Sequence, residues 1–222
     1  MLNTDFTPID QATWSRREYF YYFTKLSPLG FSLTVNLDIT ATKKWAQAHH
    51  VKFNAVYLYL ASQALLAHPE MRVGKVDEQL VTYDVLHPSY TVMHADHTIS
   101  NLWTAYDANF EQFYQNYLAD LTTYGDVPGP MPKAPQSGNL FTIGSLPWVN
   151  FTSYTPLPFT PLTSFFPVLQ AGKFITTDDG QITMPLSITI HHAVADGYHV
   201  SQYFNDLQAL LTTPESALTA EA

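Results

Sequence analysis

Between residues 31 and 39 apolar and polar positions alternate, with Phe31, Leu33, Val35, Leu37 and Ile39 set against Ser32, Thr34, Asn36 and Asp38. A period of two predicts a strand with one buried face. Residues 40–50 then read as a short helix opened by a hydroxyl residue. Residues 53–68 are more strongly helical, with Val56, Leu60, Ala64 and Ala67 on one stripe, and Pro69 stops them. Strand patterns recur at 79–85, 90–95 and 98–106. An amphipathic helix is predicted over 109–124, with Phe110, Phe113, Tyr117 and Leu121 inward and Gly125 ending it. Residues 140–143 and 149–153 read as short strands. Residues 168–176 and 181–190 flank Asp178-Asp179-Gly180, a hairpin signal. A last helix spans 198–211. The Pro- and Gly-rich stretches at 126–138 and 155–161 read as loops. Strands mixed with three or four helices predict an α/β two-layer sandwich built on a mixed β-sheet.

Composition narrows the class. The chain has 222 residues, 46% of them hydrophobic, which suits one folded domain over residues 1–222. Charged residues are 13%, about half the usual share, so disorder is excluded and part of the surface is expected to lie buried in an oligomer. The formal net charge of -9 argues against nucleic acid as a partner, which calls for a basic patch. The absence of Cys excludes disulfides, thiolate-ligated metals and thiol nucleophiles. The first thirteen residues lack the basic start and apolar run of a signal peptide, and no stretch of about 18 apolar residues suggests a membrane span. A cytoplasmic protein is expected.

The stretch His191-His192-Ala193-Val194-Ala195-Asp196-Gly197 carries the chemistry. It follows the alternating run Leu186, Ile188, Ile190, so a strand delivers two histidines to its C-terminal end. The small residues after them allow a tight turn, and Asp196-Gly197 can open the next helix. An imidazole held there can take a proton from an alcohol near neutral pH. A His pair at a strand end also arises from ordinary packing and hydrogen bonding. Metal ligation by His191 or His192 with Asp196 and His199 matches no standard zinc or iron spacing, so no metal is expected. A Ser–His–Asp hydrolase would show a nucleophile elbow, and none is present.

The segment HHAVADGYHV resembles the HHxxxDG signature of the chloramphenicol acetyltransferase family. WSRREYF at 14–20, GFSLTVNLDIT at 30–40, LPWVNF at 146–151 and MPLSITIHHAVADGYHV at 184–200 are similar to family segments in order and spacing. The resemblance implies a homotrimer with active sites between subunits, acetyl-CoA as co-substrate, and acetyl transfer to a hydroxyl of chloramphenicol or a similar apolar alcohol. It implies His192 as the general base, with the acceptor oxygen attacking the thioester carbonyl directly and no acyl-enzyme, and a structural pair of Asp196 with Arg16. The family serine that stabilises the oxyanion falls at Gly144, with Ser145 one residue late. The acceptor pocket maps to Tyr22, Phe23, Leu29, Phe31, Tyr154 and Val168. Phe23 stands where the family has Tyr, and Gln170 where it has a water-binding Thr. Lys52 and Lys173 fall where the family has lysines near the nucleotide of CoA. A different hydroxylated acceptor, or a catalytically weak trimer that binds CoA or an apolar ligand, are the other readings.

Overall fold

The structure is a computed structural model and describes residues 2–157 and 165–219. The strands are Phe6–Pro8 (β1), Gly30–Asp38 (β2), Val73–Val76 (β3), Gln79–Tyr83 (β4), His87–Met93 (β5), Ile99–Trp103 (β6), Leu140–Leu146 (β7), Val168–Gly172 (β8), Ile175–Thr176 (β9) and Ile182–His191 (β10). The helices are Arg17–Tyr21 (α1), Thr40–Ala48 (α2), Phe53–Leu66 (α3), Phe110–Tyr124 (α4), Gly197–Thr212 (α5) and Glu215–Leu218 (α6). A π-helical turn, Tyr22–Leu26, extends α1, and a 3₁₀ turn, Pro69–Arg72, follows α3.

The main sheet runs in the order β2-β10-β8-β7-β5-β6, with β9 also paired to β10. β10 lies antiparallel to both β2 and β8, whereas β7 runs parallel to β8 and to β5. The sheet is therefore mixed, as expected from the strands and helices read along the chain. Its core row comprises Met184, Leu186, Ile188 and Ile190 of β10, with Leu169 and Ala171 of β8 and Phe141 and Ile143 of β7, all buried. Successive side chains point to opposite faces, so Thr142, Gly144, Val168, Gln170 and Thr189 share the other face. A second, small sheet has β4 between β1 and β3.

The 31–39 pattern gives β2, but only part of its apolar row is covered. Leu37 is buried, Phe31 and Val35 are half-buried, and Leu33 is 37% exposed. β2 is the edge of the main sheet, and its Gly30 end runs past the cover that the helices give. The helix expected from a stripe in 53–68 is instead buried on nearly every side, with Tyr57, Tyr59, Leu58 and Leu60 all within the core. It is the central helix, packed by α2, α4 and α5, so a one-sided stripe has no meaning there. Ala67 is exposed beyond its end.

Asn109 caps α4 by accepting from the Gln112 N–H at 3.1 Å. Gly125 ends that helix in an ordinary helical conformation (φ -61°), not in a left-handed turn. The hairpin at Asp178-Asp179-Gly180 forms, with Gly180 left-handed (φ 84°). No strand forms at 149–153. After β7 the chain turns at Pro147 and lies beside the end of β8, joined there by Lys173 N–H to the Val149 carbonyl and Asn150 Nδ2 to the Lys173 carbonyl, both at 2.8 Å. The loops expected at 126–138 and 155–157 are loops, and the rest of the 155–161 stretch lies outside the described residues.

Candidate active site

β10 ends at His191, and its register places that residue opposite Gly30, the first residue of β2. The next amide, His192 N–H, donates to the Leu29 carbonyl at 2.8 Å. The turn that follows, Ala193-Val194-Ala195, is fully buried. Small apolar residues let the chain reverse inside the core, and the reversal sets the His192 ring outward. Asp196 then caps α5, accepting from the Tyr198 N–H at 3.0 Å.

Arg16 spans this turn. Its Nη1 donates to Asp196 Oδ2 (3.1 Å), its Nη2 to the His192 carbonyl (3.2 Å) and its Nε to the Ala193 carbonyl (3.4 Å). The planar guanidinium fork reaches three acceptors at once, which a lysine cannot do. Burial pushes the Asp196 carboxyl up, but the Arg16 bond and the neighbouring His199 outweigh it and hold the group below the usual carboxylate value.

The two histidines differ. His191 Nδ1 accepts from the Ala193 N–H at 3.1 Å, so that nitrogen carries no proton. Burial, and then the neighbouring His192, lower the His191 pKa, which keeps the ring neutral. His192 lies flat on Phe23, with ring centres 4.0 Å apart and planes 6° apart, and Phe31 packs against it at 5.0 Å. Its Nδ1 is buried with no hydrogen-bond partner, so Nε2 is the nitrogen that faces the cavity. That cavity, about 450 Å³, is lined by Arg16, Tyr19, Tyr22, Phe23, His192 and Asp196 among others. The π-helical turn supports it: Ser27 N–H reaches back five residues to the Tyr22 carbonyl (2.9 Å), a widened turn of the kind that recurs at functional sites. No pattern of apolar positions signals it.

The structure therefore brings Arg16, Tyr22, Phe23, Leu29, Phe31, His192 and Asp196 together. It does not bring the remaining candidates to them within one chain. Val168 lines a separate cavity of about 550 Å³ with His191, Thr142, Thr189 and Phe166. Tyr154 packs against Phe151, and its carbonyl accepts from Ser187. Ser145 and Gln170 sit at the far end of β7 and β8. Gln170, with its amide oxygen toward β7, accepts from the N–H groups of Ser145 (3.0 Å) and Leu146 (3.3 Å). Its amide fills the space over Gly144, only 2.6 Å from where a Cβ there would sit. Ser145 pairs through Ala171 with Leu186, five residues before His191 on β10. Six residues along the chain and two strand spacings therefore separate Ser145 from His192 by roughly 20 Å.

Lys52 and Lys173 are exposed and precede Phe53 and Phe174, whose rings meet edge to face at 6.1 Å. Lys43, which the sequence does not single out, lies over both rings at 4.8 and 4.4 Å. One lysine thus lies over this aromatic pair and two more adjoin it in sequence, in an acidic chain. Among the described residues no group of His, Cys, Asp or Glu is arranged to hold a metal, and no helix is long and apolar enough to cross a membrane.

This sheet, with a histidine pair at the end of the strand next to its edge, is the fold of a class of acetyltransferases. A solved chloramphenicol acetyltransferase superposes with a TM-score of 0.83 at 26% identity, over 93% of this chain and all of the other. The cubic core of the pyruvate dehydrogenase multienzyme complex superposes at 0.63 and 18% identity over 85% of this chain and 84% of the other, a likeness of fold alone. Residues 4–208 match the chloramphenicol acetyltransferase family model. The chloramphenicol acetyltransferase of Clostridium perfringens is 36% identical over 96% of this chain and 98% of its own, and that of Bacillus pumilus 37% over 93% of each. The chain belongs to the chloramphenicol acetyltransferase family.

Proposed function

We propose that this chain, folded as one domain over residues 1–222, transfers an acetyl group from acetyl-CoA to a hydroxyl of chloramphenicol or a similar apolar alcohol. The observation that carries this reading is the His192 ring, clamped between Phe23 and Phe31 with Nε2 toward a cavity, in a chain of this family. His192 takes the hydroxyl proton as the oxygen attacks the thioester carbonyl. The tetrahedral oxyanion then collapses, the C–S bond breaks, and the proton passes from His192 to the departing thiolate, so no acyl-enzyme forms. Arg16 and Asp196 hold the turn that aims the ring. Tyr22, Phe23, Leu29 and Phe31 supply one apolar wall for the acceptor, and Tyr154, Val168 and Gln170 belong to the other.

These walls are parts of one site only if a second copy of the chain completes it. The roughly 20 Å between Ser145 and His192 along the sheet supports this. So does the uncovered apolar surface beside the site, where Tyr19, Tyr22, Leu26, Leu29 and Leu33 are all exposed. We therefore read the assembly as a homotrimer of two-layer subunits, located in the cytoplasm. The nucleotide end of acetyl-CoA lies over Lys43, Lys52 and Lys173, where local positive charge offsets a net charge of -9.

The oxyanion donor comes from the Gly144 end of β7, as the Ser145 hydroxyl or, on the face of Gly144 itself, the Gln170 amide. Loss of the true donor is expected to cost about 10²–10³ in rate. Ser145→Ala and Gln170→Ala, compared by kcat, identify it: the variant that falls this far is the donor.

Thiol release from acetyl-CoA with chloramphenicol tests the whole reading, with sedimentation velocity reporting the assembly. Release that depends on chloramphenicol is the expected result. Phe23, Gly144 and Gln170 favour a second reading, in which another apolar alcohol is the acceptor; turnover of other alcohols but not of chloramphenicol would select it. Calorimetric binding of CoA without thiol release from any acceptor would leave only a binding trimer.

A further inference from the structure

Asp196 has a third client besides Arg16 and the helix it caps. His199 Nδ1 lies 2.8 Å from Asp196 Oδ1 and 3.3 Å from the Asp196 amide nitrogen. Protonated at Nδ1, the ring donates to the carboxylate; unprotonated there, it accepts from the amide. In both states one imidazole ties the Asp196 backbone and side chain to the first turn of α5. A capping box usually places Glu or Gln at this third position; here a rigid ring does the same work.

Both Asp196 oxygens are thereby occupied, Oδ2 by Arg16 and Oδ1 by His199 and the Tyr198 N–H. The carboxylate cannot turn about its last bond without losing a partner. Arg16, whose other nitrogens hold the His192 and Ala193 carbonyls, takes its position from that carboxylate. The Tyr198 ring stands edge-on to His199 at 5.7 Å, and the charge of His199 acts on Glu70 of the 3₁₀ turn after α3. Burial pushes the Glu70 carboxyl up, but the His68 bond and the charges of His199 and His68 bring it below its ordinary value. His68 in turn lies 3.5 Å from Glu70 and 3.0 Å from Asp206 of α5. The hydrogen bonds of His199 run to Asp196, and His199 is not among the residues that line the substrate cavity.

We propose that His199 is a positioning residue for the transfer, fixing Asp196 and, through Asp196 and Arg16, the aim of His192. This rests on the reaction proposed above. A residue that only capped α5 would change stability and leave catalysis intact. A positioning residue changes kcat, because a small misplacement of the base is costly while the binding walls stay where they are.

The test compares His199→Phe, which keeps the ring and removes both nitrogens, with His199→Asn, whose amide N–H stands near the place of Nδ1. His199→Phe is expected to lower kcat about ten- to a hundredfold with KM for both substrates unchanged, and His199→Asn to recover most of that loss. In an Arg16→Ala background, His199→Phe is expected to cost little more, because the two act through one carboxylate. Unchanged kcat, a loss confined to KM, or equal loss in both variants would overturn the proposal. If His199→Phe does not fold, His199→Ala takes its place. A readout that needs no substrate accompanies these: in ring-labelled protein the His192 signals are expected to move in the Phe variant and return in the Asn variant. If they respond so while the wild type acetylates no alcohol, the reaction is wrong and the positioning stands; if they do not move, the positioning is wrong.

Discussion

His192→Ala is expected to slow acetyl transfer by about 10²- to 10⁴-fold, the usual contribution of a well-placed general base. The loss belongs in kcat. The lysines around Phe53 and Phe174 are remote from the ring, and the aromatic wall of Tyr22, Phe23 and Phe31 remains, so KM for acetyl-CoA should hardly change. Stability should fall only modestly. The ring is half-buried, and its stacked contact with Phe23 at 4.0 Å is of a kind worth about 0.5–1.5 kcal/mol. Its backbone bond to Leu29 does not depend on the side chain. Thiol release measured beside thermal unfolding separates the two effects. Equal rates for variant and wild type in a folded protein would remove His192 from the reaction.

The second large effect is expected from Arg16→Ala, on stability and rate together. Three hydrogen bonds from a cation are lost, and such bonds are worth about 1.5–3 kcal/mol each when well shielded. Asp196 is partly exposed, its side chain 39% accessible, so solvent screening reduces the total; a loss of about 2–3 kcal/mol is expected. Arg16→Lys should recover little of it, because an ammonium cannot reach the two carbonyls and the carboxylate at once. The rate should fall with the stability, since the His192 carbonyl is one of the three acceptors. The pH dependence gives a further check. The folded protein holds Asp196 below its ordinary value of 3.8, so its contribution is fully present above that value and is lost as the pH falls through the lower, folded one. In Arg16→Ala that acid-side loss should shrink, since the first partner that lowers the group is gone. Denaturant midpoints between pH 2 and pH 5 measure it, and curves of identical shape for both proteins would contradict the role given to this pair.

Much of the fold was legible because its longer elements are patterned. The alternation before Asp38 and before His191 gave β2 and β10, and the aromatic stripe after Asn109 gave α4. The elements that escaped are short or lack side-chain signals. β3 escaped: it is joined to β4, which the 79–85 pattern predicts, by Asp77 and Glu78, both with positive φ (47° and 64°), where a tight hairpin would ordinarily advertise itself with Asn-Gly. The strand expected at 149–153 fails because β8 ends before it can pair. At the site, the motif and the resemblance led to His192, Asp196 and Arg16, and Phe23 and Phe31 came with them. Lys43 escaped because a lysine on an amphipathic helix, here beside Lys44, reads as a solvated charge, and only folding sets it over two phenyl rings. His199 could be found from its spacing alone, three residues after a capping aspartate, but that spacing does not reveal that the carboxylate also holds an arginine.

The turn at Tyr22–Leu26 makes the acceptor wall sensitive to chain length as well as to residue type. Because its carbonyls reach five residues ahead, it contains one residue more than an α-helix of the same rise would need. Removing one residue between Phe23 and Ser27 would let the segment rewind as an ordinary helix, keeping the segments on either side in place and turning only the side chains inside the turn, Phe23 among them. Phe23 would then leave the face of the imidazole without any substitution at the site. A relative shorter by one residue here could present a differently shaped mouth to its alcohol while its motif and its sheet stayed the same.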